Sequence, residues 1–282
     1  MPSISVTIIT RDEEENIESC LESVKWADEL IVVDSMSTDR TADICRRYTD
    51  KVFIQEWKGY SAQKNTAIEK ATLEWIFSID ADERVSVGLR DEIREVINNP
   101  NALDGYLMPR RAYFAGRWIR HGGWYPDYQL RLFRKGKGKF VERGVHERAE
   151  VKGNIGRLKG HIEHYTYKDI SEFISRMDRY STLAAMEYKS QGKRGSLLRI
   201  IFAPAATFIR MYILKLGFMD GYHGFLLAVL YSEITCMIAS YQKSLSNKAF
   251  NFSYVISICS GTTLSSPTVV IKLVSPAQRG TI

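Results

Sequence analysis

The stretch Trp75-Ile-Phe-Ser-Ile-Asp-Ala-Asp82 decides the fold, because an apolar run typical of a buried strand leads directly into two carboxylates. Comparable runs, rich in β-branched or aromatic residues, lie at residues 4–9, 30–33 and 52–54. The intervals between the runs have the apolar spacing of helices, at residues 16–24, 38–48 and 61–71. This alternation predicts an α/β fold with a mostly parallel, Rossmann-like sheet and right-handed crossovers.

Polar clusters follow three of these runs, at residues 10–14, 34–39 and 80–83. Ligands of parallel sheets bind at the carboxyl ends of the strands, so the clusters are expected around one crevice. Asp80 and Asp82 are like charges at one strand end, and a divalent cation such as Mg²⁺ or Mn²⁺ would balance them while bridging a diphosphate. A solvated acidic turn is the competing interpretation, and an Asp-x-Asp motif taken alone does not exclude it.

Length and charge bound the class of protein. A chain of 282 residues with 45% hydrophobic residues can bury one sizeable core. Its net charge of +6 suits nucleic acid, a membrane surface or an anionic substrate, and the distribution of the basic residues favours the membrane. We therefore expect no nucleic-acid partner. The four cysteines lack CxxC or metal-ligand spacing, and the chain begins with a strand pattern instead of a signal peptide, so a reducing cytoplasm is expected.

Several motifs together resemble one enzyme family. In the first part of the chain they are Ser5-Val-Thr-Ile-Ile-Thr10, Val32-Val-Asp-Ser-Met-Ser-Thr-Asp39, Gln63-Lys-Asn65 and Asp80-Ala-Asp-Glu83. These resemble the donor-binding half of family 2 glycosyltransferases, which have the GT-A fold. The later motifs are Asp127-Tyr-Gln-Leu-Arg-Leu-Phe133, Val145-His-Glu147, His164-Tyr-Thr-Tyr167 and Gly217-Phe-Met-Asp-Gly-Tyr-His-Gly-Phe225. They resemble the branch that includes lipopolysaccharide-core glucosyltransferases.

The resemblance implies a nucleotide-binding role for the first two clusters. Thr10, Asp12 and Glu13 would border the nucleotide, and many members of the family have Asn where this chain has Asp12. Asp34 would accept a hydrogen bond from the base, commonly uracil. Ser35 belongs to the same loop.

The resemblance also implies a diphosphate and metal site. Lys64 and Asn65 would face the diphosphate, since a cation and a helix terminus both attract anions. An exposed helix lysine is the alternative for Lys64. Asp80 and Asp82 would bind the nucleotide-sugar and its Mg²⁺ or Mn²⁺, and His146 is a candidate further ligand of the metal or the phosphate. A hydrogen-bonded structural histidine is the alternative for His146.

An inverting transfer needs a base that takes the proton of the acceptor hydroxyl. Asp127 is the favoured candidate because it follows Trp124-Tyr-Pro126, an aromatic loop suited to stacking a sugar. Glu147 is the second candidate. Arg131 and Arg134 have two possible interpretations. They could clamp phosphate or an anionic acceptor, or they could be solvated arginines at a strand edge.

Two apolar segments follow. In residues 197–216 the apolar side chains form one helical stripe, with Arg210 on the opposite side. Residues 222–241 are long enough to cross a bilayer but contain His223 and Glu233. An arginine at the bilayer centre costs about 2.5 to 3.5 kcal/mol, which favours a helical hairpin inserted shallowly into the cytoplasmic leaflet. Full spans, or helices that belong only to a core or dimer surface, are the alternatives.

These expectations give one organisation and one activity. We expect a donor-binding half, an acceptor-binding and catalytic half, a membrane-association region and a poorly ordered tail, at residues 1–104, 105–190, 191–245 and 246–282. The expected activity is metal-dependent, inverting transfer of a hexose from a UDP-linked nucleotide-sugar to a lipid-linked or cell-envelope glycan, at the cytoplasmic face of the inner membrane. A sugar nucleotidyltransferase is the enzyme alternative, but it would usually have a Gly-rich loop where this chain has Thr10-Arg-Asp-Glu-Glu-Glu15. A catalytically inactive membrane-bound scaffold is the alternative from another class.

Overall fold

The computed structural model describes residues 3–143, 146–192 and 195–246, apart from the side chains of residues 142, 143, 146, 147, 179, 189, 245 and 246. Its first part alternates strand and helix as the sequence predicts: β1 (Ile4–Thr10), α1 (Ile17–Val24), β2 (Glu29–Asp34), α2 (Thr41–Arg46), β3 (Val52–Ile54), α3 (Tyr60–Lys70) and β4 (Trp75–Asp80). Helix α2 is shorter than the predicted residues 38–48. Asp12 accepts the backbone N–H of Thr38, and Asp39 that of Thr41, so the chain before Thr41 forms a loop.

The second part consists mainly of short strands: β5 (Glu83–Val85), α4 (Val87–Ile97), β6 (Gly105–Phe114), β7 (Arg117–Trp118), β8 (Asp127–Arg134), β9 (Gly138–Arg143), β10 (His146–Val151), β11 (Ile155–Arg157) and β12 (Ile162–Tyr167). The main sheet has the order β3-β2-β1-β4-β8-β6-β12-β5, with β7 and β11 also paired to β6. Strands β1 to β4 pair in parallel, whereas β8 is antiparallel to both β4 and β6. The sheet is therefore parallel in its first half and mixed in its second.

The core has two layers because both faces of the central strands are covered. Successive residues of a strand point to opposite faces. Ile8 of β1 accordingly packs with Leu21 of α1 and Ile93 of α4, whereas Ile9 packs on the other face with Ala67 of α3 and Phe140 of the β9–β10 hairpin. All seven residues of β1 are buried, and this double coverage explains why the strand has an almost unbroken apolar sequence.

Glu29 stabilises the end of the sheet opposite the polar clusters. Its carboxylate accepts hydrogen bonds from the hydroxyl of Ser5, from the backbone N–H of Thr72 at 2.9 Å and from the Thr72 hydroxyl at 2.7 Å, and it pairs with Lys51. Burial acts to raise the pKa of this carboxyl, but the hydrogen bonds from Lys51, Ser5 and Thr72 lower it to about 2. Glu29 therefore ties β2 to β1 and to the start of the β4 segment as an ionised group.

The C-terminal part is helical: α5 (Ile170–Ser190), α6 (Leu197–Phe208), a π-helical continuation (Ile209–Leu214), a 3₁₀ turn (Gly217–Asp220) and α7 (Gly221–Ser246). One face of α7 packs on the rest of the protein, where Leu227 and Leu230 join a buried cluster with Phe114 and Phe173. Two helical segments, Leu197–Leu214 and Gly217–Ser244, are long and apolar enough to cross a membrane by length and composition alone. Residues 247–282 of the predicted tail lie outside the described residues.

The first of these segments presents its apolar stripe to the outside. Leu198, Ile201 and Phe202 of α6 are each about two-thirds exposed, and Leu214 is 72% exposed. The second segment is partly covered, because 39% of its apolar stretch is buried inside the protein. The α6–α7 hairpin is therefore attached to the rest of the protein through α7 and leaves an unusually apolar outer surface.

Candidate active site

The three predicted polar clusters meet at one edge of the sheet. Strand β1 lies between β2 and β4, and the register pairs Thr10 with Asp34 and Ile9 with Asp80. The carboxyl ends of these three strands are therefore side by side. This is the edge at which ligands of parallel sheets bind.

The first two clusters are held together by hydrogen bonds between their loops. Asp34 is 1% exposed and accepts the backbone N–H and the hydroxyl of Ser37. The backbone N–H of Asp12, a residue with the left-handed φ of 51°, donates to the Ser37 hydroxyl at 2.8 Å. Ser35 is also buried and accepts a hydrogen bond from Gln63 at 2.7 Å. These side chains thus shape the wall of the crevice that the sequence assigns to the nucleotide.

Glu13 extends this wall towards the acidic motif. Its backbone N–H donates to Thr41, and its carboxylate accepts a hydrogen bond from Asn16 at 2.8 Å. Burial raises the pKa of Glu13, and the nearby charge of Asp82 raises it further.

A chain of alternating charges runs from the Asp80 motif to the proposed base. Lys64 Nζ lies 2.7 Å from Asp80 Oδ1, and Arg131 contacts both Asp80, at 2.5 Å, and Glu83, at 3.1 Å. Arg110 then joins Glu83, at 3.2 Å, to Asp127, at 2.7 Å. Three cations and three carboxylates alternate along this line, which we call the charge chain. It consists of Lys64, Asp80, Arg131, Glu83, Arg110 and Asp127.

Most of the charge chain is buried. Lys64 and Arg131 are 2% and 4% exposed, and Glu83 is fully buried. Burial acts to raise the pKa of Asp80, but the charges of Arg131 and Lys64 hold it far below its ordinary value. Asp80 is therefore ionised at every physiological pH, with its two oxygens already facing cations of the protein.

Arg131 is neither a solvated arginine nor an open phosphate clamp, the two interpretations that its sequence context allowed. Strand β8 has a register shift against β6, where Tyr106 pairs with Leu132 but Leu107 pairs with Leu130. Such a bulge redirects side chains and is common next to active sites. Here the bulged residue is Arg131, and its guanidinium turns inward to the carboxylates. Arg134 behaves differently, since it pairs with Glu74 at the surface and stacks on Trp75.

Asp82 has a histidine beside it. Tyr165 N–H donates to the Asp82 carbonyl at 3.0 Å, so β12 runs next to the acidic turn, and His164 Nε2 lies 3.1 Å from Asp82 Oδ2. The hydroxyl of Thr166 is 2.9 Å from the other ring nitrogen and fixes the orientation of the ring. Burial acts to raise the pKa of Asp82, but His164 holds it below its ordinary value.

This pair provides one carboxylate oxygen and one imidazole nitrogen, both common ligands of Mn²⁺ and related cations. Within the described residues, no group of three or more His, Cys, Asp and Glu side chains is arranged to hold a metal. A divalent cation at Asp82 and His164 would thus rely on phosphate oxygens and water for its remaining ligands, as Mg²⁺ commonly does. The donor set fits a metal that is bound together with a diphosphate.

Asp127 lies at the start of β8, beyond the carboxyl end of β4 to which β8 is antiparallel. Arg110 contacts its Oδ2 through Nε at 2.8 Å and Nη2 at 2.7 Å, and Gln129 donates to Oδ1 at 2.7 Å. The side chain is nevertheless 37% exposed. Asp127 is therefore oriented by its neighbours and still open to a bound molecule.

Two predicted residues have different surroundings from those expected, and two cannot be compared. Lys64 faces Asp80 inside the protein and is not an exposed helix lysine. Asn65 exchanges two hydrogen bonds of 2.8 Å with the backbone of Phe140, so its amide ties α3 to β9. The backbones of His146 and Glu147 belong to β10, but their side chains lie outside the described residues.

Comparison with known proteins decides the family. The family model described as glycosyl transferase family 2 matches residues 5–156, which contain the polar clusters and all six residues of the charge chain. This chain belongs to glycosyltransferase family 2. The expected GT-A fold is thereby confirmed, since both the family and the half-parallel sheet agree with it.

Relatives of this glycosyltransferase cover nearly its whole described length. The lipopolysaccharide core biosynthesis glycosyltransferase LpsC of Rhizobium meliloti (strain 1021) is 33% identical over 233 residues, which are 80% of this chain and 86% of LpsC. The uncharacterized glycosyltransferase RT0209 of Rickettsia typhi is 30% identical over 268 residues, 89% of this chain and 90% of that protein. Among solved structures, residues 1–349 of S. aureus TarS match with 16% identity and a TM-score of 0.45, covering 88% of this chain and 92% of that TarS fragment.

Sequence reasoning missed three residues of this glycosyltransferase's site. His164 belonged to a recognised motif, and Glu83 is the last residue of the acidic motif, but neither had an assigned role. Arg110 was not singled out at all. The signal for Arg110 and Arg131 was present, because a basic residue within an otherwise apolar strand needs a buried carboxylate as its partner.

Proposed function

We propose that this glycosyltransferase moves a hexose from a UDP-linked nucleotide-sugar to a lipid-linked or cell-envelope glycan, with inversion at the transferred sugar. The observation that carries this proposal is the charge chain, because it joins the strand-end motif of the donor crevice to a carboxylate that faces the opening. Donor and acceptor chemistry would then occur at the two ends of one rigid network. The lipopolysaccharide role in the name of LpsC supports an envelope glycan as acceptor.

We assign the metal to Asp82 and His164, with Mg²⁺ or Mn²⁺ as the ion. When bound, the cation would neutralise the nucleotide diphosphate as it leaves. Asp80, whose oxygens face Lys64 and Arg131, would accept hydrogen bonds from the donor at the edge of this site. The role of His146 as a further ligand stays a prediction.

Asp127 would act as the base. The acceptor hydroxyl must lose a proton as it attacks, and a carboxylate within hydrogen-bond reach can take it. Arg110 and Gln129 hold Asp127 in one orientation, and its exposed fraction leaves room for a sugar hydroxyl. Thr10, Asp12, Glu13, Asp34 and Ser35 would form the nucleotide wall, as the family resemblance implies. Glu147 stays the second candidate for the base.

We place the enzyme on the cytoplasmic face of the inner membrane, attached as a monotopic protein. The outward apolar stripe of α6 supports contact with lipid, and the attachment of α7 to the buried cluster of Phe114 and Phe173 supports a hairpin held against the catalytic part. Arg199 and Arg210 are exposed on the same hairpin and would meet anionic headgroups.

A thermal-shift screen of nucleotide-sugars, with and without Mn²⁺, tests the donor and the metal together. A ligand that binds only the folded state raises the melting temperature. We expect UDP-glucose with Mn²⁺ to stabilise the wild type but neither Asp82→Asn nor His164→Gln, while the surface variant Glu74→Gln responds like the wild type. Equal stabilisation of Asp82→Asn would remove the metal assignment. If instead UTP stabilises the protein, and diphosphate is released when UTP and a sugar 1-phosphate are supplied together, the nucleotidyltransferase alternative is favoured.

A further inference from the structure

A second cavity lies outside the donor crevice. It has a volume of about 390 Å³ and is formed where the loop before β8 meets the turn between the two halves of the C-terminal hairpin. Its lining includes Arg120, His121, Tyr125, Leu214 and Lys215. The loop and the turn are joined directly, because the Gly122 N–H donates to the Lys215 carbonyl at 2.8 Å.

Asp220 fixes the loop side of this cavity. The carboxylate is 3% exposed and accepts the backbone N–H groups of Arg120, at 3.0 Å, and His121, at 2.7 Å. It also lies 3.1 Å from Nδ1 of His121. The acidic charge near the cavity is therefore fully engaged with the loop, and the loop has one defined conformation against the hairpin.

Two cations remain at the cavity. The Arg120 guanidinium stacks on Trp118 at 4.3 Å from the ring centroid, and the Lys215 side chain lies across Gly123. A Cβ at Gly123, whose φ is +90°, would come within 2.6 Å of Lys215 Nζ, so the glycine leaves the room that the lysine occupies. Among the described residues, no carboxylate lies within ion-pair distance of Arg120 or Lys215. The cavity thus offers positive charge with no acidic partner.

The other wall of the cavity is apolar and continuous with the outer surface of the hairpin. Leu214 and Leu216 line it while being 72% and 45% exposed, and Phe218 and Met219 of the next turn are about half exposed. A ligand that satisfies both walls needs an anionic group attached to apolar chains. An anionic lipid has this combination, whereas a free anion would leave the apolar wall in water.

We propose that this cavity binds the phosphate headgroup of an anionic membrane lipid, between Arg120 and Lys215, with the lipid chains against the turn of the hairpin. The proposal rests on the membrane attachment given under the proposed function. It adds a specific lipid site next to the proposed base, because Tyr125 and Pro126 line the cavity and Asp127 follows them in the chain.

Flotation of the full-length protein with vesicles tests this site. The probes are vesicles of phosphatidylcholine alone and of an equimolar mixture with phosphatidylglycerol. The double variant Arg120→Gln/Lys215→Gln removes both cavity cations. Its matched control, Arg199→Gln/Arg210→Gln, removes the same charge from exposed positions of the same hairpin. Donor stabilisation in the thermal-shift assay verifies that each variant is folded and reports the proposed function separately.

We expect the wild type to prefer the anionic vesicles. Each basic residue near an anionic bilayer strengthens binding by about five-fold, so general attraction alone would make either double variant lose about 30-fold in affinity for these vesicles. Arg120 and Lys215 would in addition bind one headgroup inside the cavity, so their variant should lose several-fold more than Arg199→Gln/Arg210→Gln. Binding to neutral vesicles should be unchanged in both variants.

Three results would overturn the site. Equal losses in the two double variants would mean general attraction between a basic surface and anionic lipid. The cavity would be a site for free anions if inorganic phosphate raised the melting temperature of the wild type, Arg120→Gln/Lys215→Gln abolished this rise, and the wild type showed no preference for anionic vesicles. Binding of the wild type to neither vesicle would refute the membrane attachment together with the lipid site, even if donor binding is intact.

Discussion

Replacing Glu83 by Gln should lower the free energy of unfolding of this enzyme far more than the removal of an exposed charge does. Glu83 is fully buried and contacts Arg131 and Arg110 at 3.1 and 3.2 Å, while also accepting the backbone N–H of Asp80 at 3.0 Å. At an effective dielectric constant of about 20, each ion pair at this separation is worth about 5 kcal/mol before the cost of removing the charges from water. The glutamine keeps the volume of the side chain but leaves the buried guanidinium of Arg131 and the partly buried one of Arg110 with one carboxylate fewer. Breaking a buried pair in this way costs about 3 to 5 kcal/mol, a large part of a typical total stability of about 5 to 15 kcal/mol.

Urea unfolding in detergent, followed by tryptophan fluorescence, measures this difference, since Trp75 lies buried in the neighbouring strand β4. The matched control is Glu74→Gln. Glu74 is 51% exposed and pairs with Arg134 at the surface, so its loss should cost less than about 1 kcal/mol. If Glu83→Gln costs no more than the control, the charge chain does not stabilise the fold and the reasoning fails.

Three further outcomes follow from the structure. Asp127→Asn should lower kcat at least about 100-fold with nearly normal donor affinity, and Glu147→Gln should lower kcat less. Turnover assays measure kcat, and calorimetry measures donor affinity. If Glu147→Gln lowers kcat more than Asp127→Asn, Glu147 is the base. Glu29→Gln should cost about 3 kcal/mol at pH 7, because the folded pKa of about 2 lies below the unfolded value of 4.5. The stability that ionised Glu29 contributes is complete above about pH 5 and is lost as the pH falls towards 2. The urea midpoints of the wild type and Glu29→Gln should therefore converge near pH 2. Leu227→Ala should cost about 2 to 5 kcal/mol, whereas Leu214→Ala, at the exposed end of the hairpin, should stay within about 0.5 kcal/mol of the wild type in the same assay.

The first half of the fold could be predicted because its information is local. Strands β1, β2 and β4 are buried as predicted, whereas β3 lies at the edge of the sheet and is partly exposed. The apolar runs nevertheless fix the type of all four strands, and their bounds to within about two residues. The polar clusters directly follow three of the strands, so the parallel topology alone brings them together. Helix α2 was predicted too long because the hydrogen bonds that delay its start come from a loop more than twenty residues away.

The candidate site was only partly predictable, since its decisive contacts are distant in sequence. His164 and Asp82 are 82 residues apart, and Arg110 and Glu83 are 27 apart. No periodicity encodes such pairs. Arg131 was ambiguous for a different reason: the strand pattern gives alternation, but the bulge that turns the side chain inward depends on pairing between β6 and β8. The apolar stripe of α6, by contrast, followed from helical spacing alone, whereas its exposure is seen only in the structure.

The insertion of β8 between β4 and β6 sets the order in which this protein can be built. Strand β4 pairs with β1 on one side and with β8 on the other, yet β8 is synthesised nearly fifty residues after β4. While only residues 1–104 have left the ribosome, β4 has an open edge, and Glu83 has neither Arg110 nor Arg131 to neutralise it. An open apolar edge recruits other strands, so this intermediate is the stage at which a nascent chain is most exposed to misassociation. Truncated forms that end before residue 134 should therefore aggregate, and the edge of the sheet beside β4 is completed only after β8 has been synthesised.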